Sequence, residues 1–146
     1  MVKTTRNSLI IEGNGKIYEI SCNVRIVNPL DSRKSKTIKA IWDTGATDTC
    51  INEKIVNLIG LISAGKIEVI NTSHKKLVEV YPVELHLPNG LWCALTCAAS
   101  IQKEIDCDML IGMDVITQGD FCITNENGNT IVSFTIPHRN KIDFCE

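Results

Sequence analysis

The sequence carries no strong charge of either sign. Its 15 Lys and Arg against 17 Asp and Glu leave a formal net charge of -2 at pH 7, which offers little field for nucleic acid or an anionic membrane. Long apolar runs are also missing. Each is broken within a few residues by Asp, Lys or Asn, so no stretch can cross a bilayer as a hydrophobic helix. Behind the basic residues of Met1-Val2-Lys3-Thr4-Thr5-Arg6-Asn7-Ser8 stands no apolar segment of the signal-peptide kind. The expectation is a soluble, non-exported, cytoplasmic protein with neither nucleic acid nor membrane among its partners.

A disulfide framework is absent as well. The seven cysteines, Cys22, Cys50, Cys93, Cys97, Cys107, Cys122 and Cys145, are odd in number and scattered through apolar segments, which fits reduced thiols packed as small core residues. A zinc reading would recruit Cys93, Cys97, Cys107 and His86. Its C-x3-C spacing with one further cysteine ten residues on matches no strong zinc pattern, so neither a metal nor another cofactor is expected.

What is present is β patterning. At 146 residues the chain has the size of one domain, with a core over about 17–136 and polar extensions at both ends. Ile17 to Val27 reads as a strand, Asn28-Pro29-Leu30-Asp31-Ser32 as a break, and Arg33-Lys34-Ser35-Lys36 as a polar loop before strand resumes over Thr37–Trp42. Asn52 to Ile59 suits a short helix, with Asn52 as N-cap and Gly60 just past its end. Lys66–Asn71 and Lys76–Tyr81 are the arms of a hairpin with the tip Thr72-Ser73-His74-Lys75, and Pro88-Asn89-Gly90 joins two further strands. Met109-Leu110-Ile111 is an apolar strand running into Gly112 and a helix of one to two turns. Asn125-Glu126-Asn127-Gly128-Asn129 turns a last hairpin. Trp42 and Trp92 read as core or interface anchors.

The most informative stretch is Ala40-Ile41-Trp42-Asp43-Thr44-Gly45-Ala46-Thr47, where an apolar strand delivers a carboxylate into a tight turn followed by small residues. Gly45 permits close backbone approach, and the Thr44 hydroxyl can satisfy a partner without bulk. A lone Asp-Thr-Gly also fits an ordinary strand-ending turn in which Asp caps its own backbone. Asp114, at the start of the second helix, is read as a cap for backbone N–H groups, not as a second catalytic acid.

Ala40 to Ile51, the hairpin near 66–81 and Asp108-Met109-Leu110-Ile111-Gly112-Met113-Asp114-Val115-Ile116 together resemble the retropepsin-like aspartic proteases, and especially their cellular and phage-associated bacterial members. The resemblance implies a mostly β, closed barrel-like body with a flap hairpin and one or two short helices. It also implies an aspartic endopeptidase acting as a homodimer on a peptide or protein substrate. Asp43 would be the catalytic carboxylate, Thr44 and Gly45 its support, and Ala46, Asp48, Thr72 and Ser73 the residues bordering substrate. Viral relatives interleave their termini to hold the dimer, for which Pro137-His138-Arg139-Asn140-Lys141 is a poor strand.

The chemistry agrees with the arithmetic of the chain. Amide hydrolysis without metal or covalent intermediate needs one carboxylate as base and one carboxylic acid, and the sequence holds a single Asp-Thr-Gly. A second copy related by a two-fold axis is the economical source of the other. Two other readings stand beside this one: a catalytically silent homodimeric peptide-binding module of the same fold, and a thiol- or zinc-dependent regulator using Cys93, Cys97 and Cys107.

Overall fold

The computed structural model describes residues 1–5, 7–70, 75–101 and 106–145. Among them the chain runs β1 (Val2–Thr5), β2 (Ser8–Glu12), β3 (Ser21–Asn28), β4 (Asp31–Trp42), β5 (Cys50–Asn52), α1 (Glu53–Leu58) and β6 (Gly65–Ile70). It continues through β7 (Lys75–His86), β8 (Trp92–Ile101), β9 (Met109–Ile111), α2 (Met113–Ile116), β10 (Asp120–Glu126) and β11 (Asn129–Thr135). The order β3-β4-β9-β5-β8-β7 closes on itself through a β7–β3 pairing, with β6 hanging from β7. This is the mostly β, barrel-like body expected from the sequence.

Alternation decides what faces in. Cys22, Val24 and Ile26 of β3 are buried while Asn23 and Arg25 face solvent, as the two-residue repeat of a strand requires. Ile38, Ala40 and Trp42 of β4 and Val83 and Leu85 of β7 complete the same interior. Asn52 caps α1 as expected, its side chain accepting from the Lys54 amide, and Gly60 follows the helix at φ +60°. The β10–β11 turn uses Asn127 and Gly128, both at positive φ, the conformation an Asn-Gly pair tolerates.

A second sheet, β1-β2-β11-β10, packs on the barrel. Trp42 joins the two layers: its ring stacks on Phe121 at 5.5 Å between centroids and tilts against Phe134 at 4.8 Å. Trp92 differs. It is 57 % exposed, its ring beside that of His86, because it opens β8 on the outward face of the barrel, so it is not a core residue.

Two segments depart from the sequence reading. Arg33 to Lys36 is not a loop: β4 begins at Asp31, and Ser35 and Lys36 pair with Val27 and Ile26. Its charges decorate a strand that is exposed along its outer half, where no apolar alternation marks it. The polar N-terminus forms β1 and β2, and β2 pairs with β11 with Leu9 and Ile11 buried in the main core. Residues 137–141 form no strand, as the sequence leads one to expect.

The C-terminal segment is gripped by one carboxylate. Asp120 accepts from the backbone N–H of Arg139 at 2.7 Å and of Asn140 at 3.2 Å, and it also meets the His138 ring. The Arg139 amide, then the His138 contact, hold its carboxyl at about 2, below the ordinary 3.8. A carboxylate depressed by folding stabilises above its unfolded value, and the contribution is lost as pH falls through the folded one. Amide exchange at Arg139 and Asn140 should therefore stay slow above about pH 4 and rise between about pH 4 and 2; rates indifferent to pH in that window, after correction for intrinsic exchange, would refute the grip.

Candidate active site

The Asp43 turn is built on β9. The last residues of β4, Ala40 to Trp42, pair in parallel with Met109 to Ile111, and the Asp43 amide continues the ladder to the Ile111 carbonyl at 2.9 Å. On its other side β9 pairs antiparallel with Cys50 and Ile51 of β5. The loop from Asp43 to Thr49 therefore crosses over the end of β9, where Gly112 stands.

That crossing is tight. A Cβ at Gly112 would lie 2.7 Å from the Asp48 carbonyl carbon, 2.8 Å from its oxygen and 2.9 Å from the Ala46 oxygen. Met113 donates its amide to Ala46 O at 2.9 Å and Asp114 to Thr47 O at 3.1 Å. Thr49, fully buried, takes the Gly112 amide on its hydroxyl at 3.1 Å and donates that hydroxyl to Asp114 Oδ1 at 2.7 Å. The Thr49 amide donates to Asp114 Oδ2 at 3.1 Å. Asp114 also accepts from the Val115 amide at 2.9 Å, so it serves the helix start as expected and braces the loop as well.

Thr49 has no counterpart among the residues singled out from sequence. Its partner is 65 positions away, and a hydroxyl beside an apolar strand carries no signal of that pairing. Thr49→Val should cost about 2 kcal/mol, because it strands the buried Gly112 amide and takes one donor from Asp114 Oδ1, whereas Thr49→Ser should restore most of the loss. Chemical denaturation of the three proteins checks this; equal stability of the valine and serine variants would contradict it.

At the turn itself, Asp43 Oδ1 accepts the Gly45 amide at 2.9 Å, and Asp43 O accepts the Ala46 amide at 3.2 Å. Asp43 is half-buried, whereas Thr44 and Gly45 are exposed. Beside them a cleft of about 360 Å³ has residues 45–48 and Cys50 on one wall, Glu68 to Ile70 of β6 on the other and Ala98 of β8 in its lining. Gly45, Ala46 and Asp48 are thus brought together with the β6 arm of the hairpin. Thr72 and Ser73 lie outside the described residues. Glu68, Val69 and Ile70 belong to the hairpin arm read from sequence, whereas Cys50 and Ala98 are delivered by strand pairing, which no local motif announces.

Burial pushes the Cys93, Cys97 and Cys107 thiols up. Among the described residues no group of three His, Cys, Asp or Glu side chains is placed to hold a metal ion. No described helix is long and apolar enough to cross a membrane.

Strands on either side of β9, a loop seated on Gly112 and an acidic turn at a cleft together define the architecture. A retropepsin-like aspartic protease from Rickettsia conorii superposes on 92 % of this chain and 96 % of its own, with a TM-score of 0.53 at 14 % identity. The fold is retropepsin-like. Simian foamy virus protease, with 18 % identity over 67 % of this chain and 92 % of its own, has a TM-score of 0.48. EIAV protease in complex with an inhibitor has the same score, with 14 % identity over 68 % of this chain and 86 % of its own. No family model matches the chain, and neither does any curated protein sequence. At this identity the likeness extends to the retropepsin-like fold, and the chemistry must be argued from the residues.

Proposed function

We propose that the chain is an aspartic endopeptidase, active as a homodimer in which Asp43 of each subunit supplies one carboxyl of a shared site. The observation that carries this reading is the Asp43 turn, whose exposed Gly45 lines a cleft faced by an extended hairpin arm. As in aspartic proteases generally, two carboxyls a few ångströms apart cannot both ionise and hold one proton between them. The ionised member takes a proton from water as it attacks the peptide carbonyl, and the protonated member gives its proton to the carbonyl oxygen.

Thr44 would bond across the two-fold axis, in keeping with its exposure in a single subunit. Gly45 keeps the backbone low beneath substrate. An extended peptide lies in the cleft with Ala46 and Asp48 along one side, while the β6–β7 hairpin acts as the flap, Thr72 and Ser73 being its proposed substrate contacts.

Incubation of the purified protein with a diverse peptide library from about pH 4 to 7 tests the reading, since a dyad of this kind keeps its single proton toward the acid end. Cleavage whose specific activity falls on dilution, together with a dimer by sedimentation, is the expected result. Binding without cleavage at every pH would favour the silent module, and a strict monomer that still cleaves would exclude the shared site.

A further inference from the structure

The cleft beside the Asp43 turn combines an apolar base with charged walls. Cys50, Val69 and Ala98 belong to a small apolar cluster with Val78 and Val80, separate from the main core, and these first three also line the cleft. Burial pushes the Cys50 thiol up, a bond with Ser100 pulls it down, and the charges of Asp48, Asp114 and Asp43 push it up again. The thiol is therefore neutral, and a substrate side chain meets it as apolar surface.

Among the described residues the lining includes two carboxylates, Asp48 and Glu68, and no Lys, Arg or His. Glu68 is already paired, with Lys75 Nζ at 3.0 Å. Asp48 stands exposed on the other wall, on backbone held at both sides: the Thr47 carbonyl accepts the Asp114 amide at 3.1 Å, and the Thr49 amide donates to Asp114 Oδ2 at 3.1 Å. A fixed carboxylate beside apolar surface, in a cleft of one sign, attracts a cation that arrives on a long aliphatic stem.

We infer, on the reading of this cleft as the peptide site, that Asp48 selects substrates carrying lysine or arginine near the scissile bond. The aliphatic stem lies on Cys50, Val69 and Ala98, and the cationic end meets Asp48. Successive side chains of an extended peptide point to opposite sides, so the preference falls at one position and skips its neighbours. A two-fold axis repeats the cleft. The preference therefore recurs at the same distance on the other side of the bond.

The test is a positional-scanning peptide library in which each position in turn is fixed as lysine, norleucine, glutamate or 2,3-diaminopropionate, a cation on a short stem. With the wild type, lysine should exceed norleucine by about tenfold in kcat/KM at one position on each side of the cleaved bond. Asp48→Asn should bring that ratio close to parity, and Asp48→Lys should favour glutamate. Each ratio is read within one protein, so a general loss of activity in a variant leaves it legible. No lysine preference in the wild type, or one that survives in Asp48→Asn, would overturn the role of Asp48. Diaminopropionate serving as well as lysine would overturn the part given to the apolar base. Binding of the same library to Asp43→Asn, with and without Asp48→Asn, separates this inference from the proposed hydrolysis. A lysine preference in binding that depends on Asp48, with no cleavage by the wild type, would sink the endopeptidase and keep the selectivity; cleavage without the preference would do the reverse.

Discussion

On the proposed reading, replacing Asp43 with asparagine should lower kcat for peptide hydrolysis by about 10⁴-fold while the chain stays folded. The two halves of that result have separate causes. Asparagine has no ionisable oxygen, so a site built from two such amide side chains has neither a base for water nor an acid for the carbonyl oxygen. The amide oxygen still accepts the Gly45 N–H that Asp43 Oδ1 accepts at 2.9 Å, so the turn keeps its internal bond. Asp43→Ala is the informative comparison, since it loses the chemistry and the turn bond together. Matched melting temperatures for the wild type and Asp43→Asn, with a lower one for Asp43→Ala, are expected. Hydrolysis that survives in Asp43→Asn would end the assignment. Because the proposed site takes one carboxyl from each of two chains, excess Asp43→Asn mixed with wild type should also suppress wild-type activity through exchange of subunits.

Gly112→Ala should be the most damaging single methyl addition at the site. The backbone φ of Gly112 is -91°, which any residue adopts, so the requirement is for space. The added carbon would meet backbone atoms of Asp48 and Ala46 at 2.7–2.9 Å, and backbone cannot rotate aside as a long side chain can. Either the 43–49 loop lifts off β9, straining the Thr49–Asp114 brace, or β9 shifts in its ladder with β4. A cost of about 3 kcal/mol is expected, which lowers the melting temperature by roughly 6–12 °C for a chain of this size. Activity should fall further than stability does, because the displaced loop carries Asp43. Thermal unfolding and peptide hydrolysis measured on one preparation check both; a variant of unchanged stability and activity would show that the loop does not rest on Gly112.

These elements differ in how far the sequence announces them. The Asp43 turn, the α1 cap at Asn52, the Asn127–Gly128 turn and the hairpin arms are local, and each is written in residues that lie close together in the chain. The strand through Arg33 to Lys36 carries too little apolar alternation to be told from a loop, because solvent meets most of its outer half. Leu9 and Ile11 are buried because pairing with β11, more than a hundred residues later, sets their face against the main core. The same holds for the site. Asp43 stands out by itself, whereas Thr49 and Asp114, or Cys50 and Ala98, acquire their relation from register between distant strands, and no spacing within the chain encodes that register.

The placement of β9 between β4 and β5 governs when the site can exist during synthesis. Translation delivers the chain from its N-terminus, so Asp43 emerges long before the strand that seats it. Until Ile111 and Gly112 have left the ribosome, β4 and β5 have nothing between them and the acidic loop nothing beneath it. A nascent chain thus carries its carboxylate unassembled while residues 44–112 are made, and a product truncated ahead of Gly112 would retain Asp43 with no seat for it.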